Sequence, residues 1–271
     1  MVGGQAGADV AAFLELEGVS KAYGALRVID DLSVRLDAGE ALGVVGPNGA
    51  GKTTMLQLAA GQLRPDAGRV RLEGRDVTDL PTRTRCQLGM AFTHQVPRPF
   101  VGMTVYENVL VGATFGRTGG VRGDGDPHQA SLAAMEAVEL AGRANRLAGT
   151  LPLLELKRLE LARALATGPR VLLLDEIAGG LSEAEVHQLV ATIRRLRGAG
   201  VSIVWIEHIV HALLSVVDRI VAINFGRKLI EGDPRTVMAS PEVRDVYLGS
   251  EAGLQQGPPA TGSPVIPEES G

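Results

Sequence analysis

The stretch Gly46-Pro47-Asn48-Gly49-Ala50-Gly51-Lys52-Thr53-Thr54 fits the spacing G-x-x-x-x-G-K-[ST], and no other feature narrows so sharply what this chain can fold into. Glycines let the backbone wrap until successive N–H groups point inward, and a helix starting near Lys52 aims its positive end at the same spot. Such a cradle binds phosphate. Lys52 is spaced to reach the β- and γ-phosphates of a nucleoside triphosphate, and Thr53 to ligate Mg²⁺. The bare pattern recurs by chance in a chain with 35 glycines, so the flanks decide. Glu40 to Val45 reads as a buried strand entering the loop, and Thr54 to Ala60 as a helix leaving it.

With 271 residues, 45% of them hydrophobic, the chain has ample core for one large domain or for one domain carrying a lobe. A net charge of -4 supplies no general attraction for nucleic acid. The single cysteine, Cys86, excludes an internal disulfide and reads as a small buried hydrophobe. No apolar run approaches the roughly 20 residues of a membrane span, and the first residues lack the charged flank and apolar core of a secretory signal.

Residues 13–36 alternate as paired strands, and Arg69–Leu72 and Cys86–Phe92 read as further short strands. Helical periodicity then marks Thr104–Phe115, His128–Ala141 and Pro152–Ala166, a lobe inserted between β-rich segments, with a Gly-rich connector at 117–127. Thr150 is placed to cap the third of these helices. From Arg170 onward, strands (170–174, 201–206, 219–223) alternate with helices, the pattern of a parallel sheet. Residues 1–12 are expected to be a flexible N-terminus and 250–271 a disordered tail.

Val171-Leu172-Leu173-Leu174-Asp175-Glu176 is an apolar strand ending in two acids. Alone, it is an ordinary strand before an acidic helix cap. Downstream of a phosphate loop, Asp175 is placed in the Mg²⁺ shell, and Glu176 where a water attacking the γ-phosphate is polarised. His208 ends another apolar strand and should emerge at the same edge, able to donate to phosphate oxygens. His208 and His211 lack the further ligands a metal site needs. Tyr23 either stacks on a nucleobase or packs on the sheet; spacing does not separate the two.

These motifs, their order and their spacing resemble the ATP-binding subunits of ABC transporters over 13–249, and the resemblance implies a P-loop NTPase fold with an N-terminal antiparallel β subdomain and a helical lobe at about 91–166. Gln95 to Phe100, Met103 to Val109, Ile206-Glu207-His208 and Pro241 to Gly249 resemble the branched-chain amino acid uptake branch. By this resemblance Tyr23 stacks on adenine, Gln95 touches Mg²⁺ and the attacking water, and Asp175, Glu176 and His208 are the Walker B aspartate, catalytic glutamate and switch histidine. The implied partners are permease subunits docked on the helical lobe, a second ATP-binding subunit and, indirectly, a periplasmic solute-binding protein. The implied location is the cytoplasmic face of the inner membrane. The carboxyl end also resembles lipopolysaccharide-export ATPases, and a soluble ATP-dependent switch is the reading from another class.

Three places depart from that pattern. The usual Leu-Ser-x-Gly-Gln is here Leu151-Pro152-Leu153-Leu154-Glu155, Ile177 stands where the family has proline, and Ser182 where it has Asp or Asn. Pro152 offers no hydroxyl or N–H, Leu154 blocks close approach of backbone to phosphate, and Glu155 adds negative charge. The changes weaken what is offered to a partner's ATP, whereas Lys52, Thr53, Gln95, Asp175, Glu176 and His208 are intact. A heterodimer with one competent site follows as an expectation; drift in a tolerant branch accounts for the same changes.

Overall fold

The computed structural model describes residues 12–117 and 125–245. It opens with β1 (Leu14–Tyr23) and β2 (Leu26–Leu36), whose alternating side chains form a half-buried antiparallel pair. β3 (Ala41–Val45) enters residues 46–51 and α1 (Lys52–Ala60) leaves them, the order the phosphate loop requires. Next come β4 (Ala67–Leu72), β5 (Arg75–Asp76), α2 (Thr82–Gln87) and β6 (Met90–Thr93). The helical lobe is built from α3 (Val105–Phe115), α4 (Pro127–Ala137) and α5 (Leu153–Ala166). Strand and helix then alternate through β7 (Val171–Asp175), α6 (Glu183–Gly198), β8 (Ser202–Ile206), α7 (Val210–Leu214) and β9 (Arg219–Asn224). β10 (Arg227–Gly232) and α8 (Pro234–Ala239) follow.

Two sheets result. The antiparallel one runs β2-β1-β4-β5; the other runs β10-β9-β3-β8-β7-β6, parallel from β9 to β6, with β10 antiparallel at its edge. Its central strands β3, β7 and β8 are buried along their whole length because both faces are covered. Leu42 and Val44, Leu173, and Val204 and Ile206 face the core shared with α1 and the antiparallel sheet. Their neighbours Ala41, Val45, Leu172, Leu174, Ile203 and Trp205 face the core shared with the helical lobe and α6. The phosphate-loop helix is therefore held between two sheets. The parallel order also brings the carboxyl ends of β3, β7 and β8 side by side, where ligands bind in open α/β sheets.

The fold is the expected P-loop α/β cassette, with local corrections. Cys86 and Gln87 are not in a strand; they end α2, and the turn at Gly89 (φ 101°) confines β6 to Met90–Thr93. An apolar run this short reads equally well as strand or buried helix. Because β6 pairs with β7 at the edge of the sheet, residues 91–93 belong to the sheet rather than to the helical lobe, whose first helix begins at Val105, one residue after the expected Thr104. α4 stops at Ala137, and Glu139 takes a left-handed backbone (φ 62°) before a short turn at Ala141–Arg143. Thr150 does not cap α5: its hydroxyl donates to the Leu147 carbonyl, and Pro152 occupies the cap position with no side-chain bond. Of the N-terminus expected to be flexible at 1–12, Ala12 is described and buried, whereas 1–11, the tail 250–271 and 118–124 of the Gly-rich connector lie outside the described residues.

Candidate active site

The glycines of the loop are demanded by geometry at two places. A Cβ on Gly46 would lie 2.2 Å from the Ile223 carbonyl oxygen; one on Gly51 (φ 99°) would lie 2.7 Å from both Ile29 Cδ1 and the Val28 carbonyl. The β9–β10 turn braces the loop from outside, with the Gly226 N–H donating to the Ala50 carbonyl at 3.0 Å. Inside it, Lys52 is 6% exposed, and its Nζ donates to the Gly46 and Pro47 carbonyls at 2.8 and 3.0 Å. Burial pulls its pKa below the usual lysine range, while Glu176 and Asp175 oppose the shift.

A cleft of about 180 Å³ opens over this loop, lined by Asn48, Gly49, Lys52, Thr53 and Thr54, with Val28 and Glu176 at its sides. Thr53 Oγ1 donates to Asp175 Oδ1 at 3.2 Å, so hydroxyl and carboxylate share one wall. Burial, with the Glu176 charge beside it, pushes the Asp175 carboxyl up to about 6, against the pull of the Thr53 hydroxyl and Lys52. A cation arriving between them would remove that penalty. The donors are hard oxygens, which fit Mg²⁺, a cation that takes one or two protein oxygens and completes its shell from phosphate and water.

Glu176 is where three distant segments meet. Gln95 Nε2 donates to its Oε2 at 2.6 Å, and His208 Nε2 donates to its Oε1 at 2.7 Å. Its backbone lies in the left-handed region (φ 45°), a conformation costing a non-glycine residue of order 1 kcal/mol, and its N–H is tied to the Ile206 carbonyl at 2.9 Å. That bend turns the carboxylate from the end of β7 towards the phosphate loop. Tyr23 stands apart: half exposed at the end of β1, its ring takes Lys21 Nζ at 6.0 Å from the centroid and is not packed into the core.

Glu207 was not legible as part of the site beyond its place beside His208. It is 2% exposed; one oxygen accepts the Ala178 N–H at 3.1 Å and the other the His208 N–H at 2.9 Å. The chain after Glu176 is thus tied to the chain at His208. An acid closing an apolar strand was the available signal. At the altered stretch, Leu153 is 40% exposed, and Glu155, in the first turn of α5, pairs with Arg143 at 2.9 Å. Ser182 serves locally, closing a capping box with Glu185 at the start of α6.

A glycine loop at one strand end, a lysine and threonine on the following helix, and an acidic pair on a nearby strand define a P-loop nucleoside triphosphatase. The ABC transporter family profile matches residues 29–179, and the chain belongs to that family of ATP-hydrolysing cassettes, which work with transmembrane permease subunits. It is 34% identical to the high-affinity branched-chain amino acid transport ATP-binding protein BraF of Pseudomonas aeruginosa, over 87% of this chain and 97% of that one. It is equally 34% identical to the lipopolysaccharide export system ATP-binding protein LptB of Acidithiobacillus ferridurans, over 88% and 97%. Among solved structures, the ADP conformation of MJ1267, an ATP-binding cassette of an ABC transporter, superposes with a TM-score of 0.80 at 27% identity, over 88% and 99% of the two chains. No helix among the described residues is long and apolar enough to cross a membrane.

Proposed function

We infer that the chain is the energy-coupling ATPase of an importer for branched-chain amino acids or related small amides, working peripherally at the cytoplasmic face of the inner membrane. A periplasmic solute-binding protein would deliver the cargo. The observation that carries the ATPase half is the convergence of Gln95, Glu176 and His208 beside Lys52. Lys52, freed from the Gly46 and Pro47 carbonyls, would bind the β- and γ-phosphates, and Tyr23 would offer its exposed ring to adenine. Thr53 and Asp175, helped by Gln95, would hold Mg²⁺, which supplies charge neutralisation at the phosphates. Glu176 would accept a proton from the attacking water, held in place by Gln95, while His208 would donate to the γ-phosphate.

Similarity to the branched-chain amino acid relative supports the import reading, and similarity to the export relative supports a second one. Uptake of labelled leucine in cells lacking this chain decides between them. Import predicts loss of uptake restored by the chain but not by Glu176→Gln. Normal leucine uptake with impaired lipopolysaccharide export would overturn it in favour of the second reading.

The assembly would be a heterodimer with one competent site, this chain's own loop completed by another chain's signature. Pro152 at the cap and Glu155 in the first turn set a carboxylate where a partner's phosphate would need the positive end of α5. Changing this chain's Glu176 to Gln should then abolish ATP turnover of the assembled pair, and the equivalent change in the partner should leave most of it. The reverse pattern rejects the assignment.

A further inference from the structure

Three side chains on one flank of α5 hold a segment outside the helix. Lys157, Glu160 and Arg163 recur every three residues and so share a face. Lys157 Nζ donates to the Gln95 carbonyl at 2.5 Å, Glu160 accepts the Arg98 N–H at 2.5 Å, and Arg163 donates to the Arg98 carbonyl at 2.7 Å. Both ends of residues 95–98 are thereby anchored to the helix. This backbone follows β6 with no regular structure of its own, so side chains must supply its anchors.

Lys157 is the most unusual of the three. It is 4% exposed, and its hydrogen-bond partner is a main-chain oxygen rather than a carboxylate. Glu207, Glu160 and Glu176 surround it at longer range and support its charge against burial. A charge-assisted bond in so dry a place is strong and directional. The residue whose carbonyl it holds is the one whose side chain reaches Glu176, 81 residues away in the chain.

We propose that Lys157 is a positioning residue for ATP hydrolysis: by fixing the Gln95 carbonyl to α5 it sets the reach of Gln95 onto Glu176. This rests on the reading of Gln95 and Glu176 given under the proposed function.

The test uses the full-length chain in the complex purified from its own cells, carrying Lys157→Met or Lys157→Arg, each alone and with Gln95→Ala. Lys157→Met should lower kcat about tenfold with KM for ATP within about twofold, and Lys157→Arg should recover at least about half of the loss. In the Gln95→Ala background, Lys157→Met should change kcat by less than about twofold, because the residue it acts through is gone. Without nucleotide, amide hydrogen exchange of the full chain should quicken about tenfold in 95–98 and stay constant in α1 and β7. If the Met variant does not fold, Lys157→Gln replaces it, too short to make the bond. An undiminished effect in Gln95→Ala, or unchanged exchange at 95–98, overturns the proposal. Turnover surviving Glu176→Gln rejects the underlying site reading instead, whereas loss with Glu176→Gln but none with Lys157→Met rejects the positioning role alone.

Discussion

Replacing Glu176 by Gln should lower ATP turnover of the assembled complex by about 10³-fold while nucleotide still binds, because Glu176 is the proposed general base and removing such a base costs about 10² to 10⁴. The substitution preserves shape and keeps one oxygen to accept from Gln95 or His208, so the left-handed bend at 176 (φ 45°) has no reason to relax. Binding rests on the loop and Lys52, which the change does not touch. Equilibrium binding of ATP with Mg²⁺, measured beside phosphate release, separates the two effects. A variant retaining a tenth or more of turnover would remove Glu176 from the role of base.

Arg85→Met should destabilise the fold by about 4 kcal/mol, the largest effect expected of a residue remote from the nucleotide. Arg85 is 1% exposed, and its guanidinium donates to four main-chain carbonyls: Leu58 at 2.7 Å, Ala59 at 2.5 Å, Leu80 at 3.0 Å and Thr78 at 2.9 Å. Two of these end α1, so the cation also complements the negative end of the phosphate-loop helix. Burial lowers its pKa to about 10, against the pull of Asp76 and Asp79, and it stays charged at neutral pH. Methionine fills the volume but leaves buried acceptors without donors. Lysine lacks the fork that reaches all four, so Arg85→Lys should recover less than half of the loss. Urea or thermal unfolding checks this, with about 10 °C in Tm expected for a domain of this size. A loss under about 1 kcal/mol would mean that water replaces the guanidinium.

Where a motif is written in consecutive residues, the sequence was enough to place it in the fold. The loop 46–54 and the pair Asp175-Glu176 sit on short apolar strands whose local pattern announces them, and the fold class follows from the strand and helix alternation around them. The boundary near Cys86 was misjudged because a short apolar run has no period long enough to distinguish strand from helix. Arg85, Lys157 and Glu207 gave weaker signals still. Each is a charged residue in a segment that tolerates charge on its surface, and only packing shows that these are buried.

What the sequence by itself determined is therefore where the loop 46–54 and the acidic pair Asp175-Glu176 stand in the fold, motifs carried by neighbours in the chain. The tertiary structure alone decided who meets whom at Glu176, and that α5 holds residues 95–98. The physical reason is separation. A bond from Lys157 to Gln95 spans 62 residues and one from His208 to Glu176 spans 32, and no local periodicity encodes a contact that exists only once β6, β7 and β8 lie side by side.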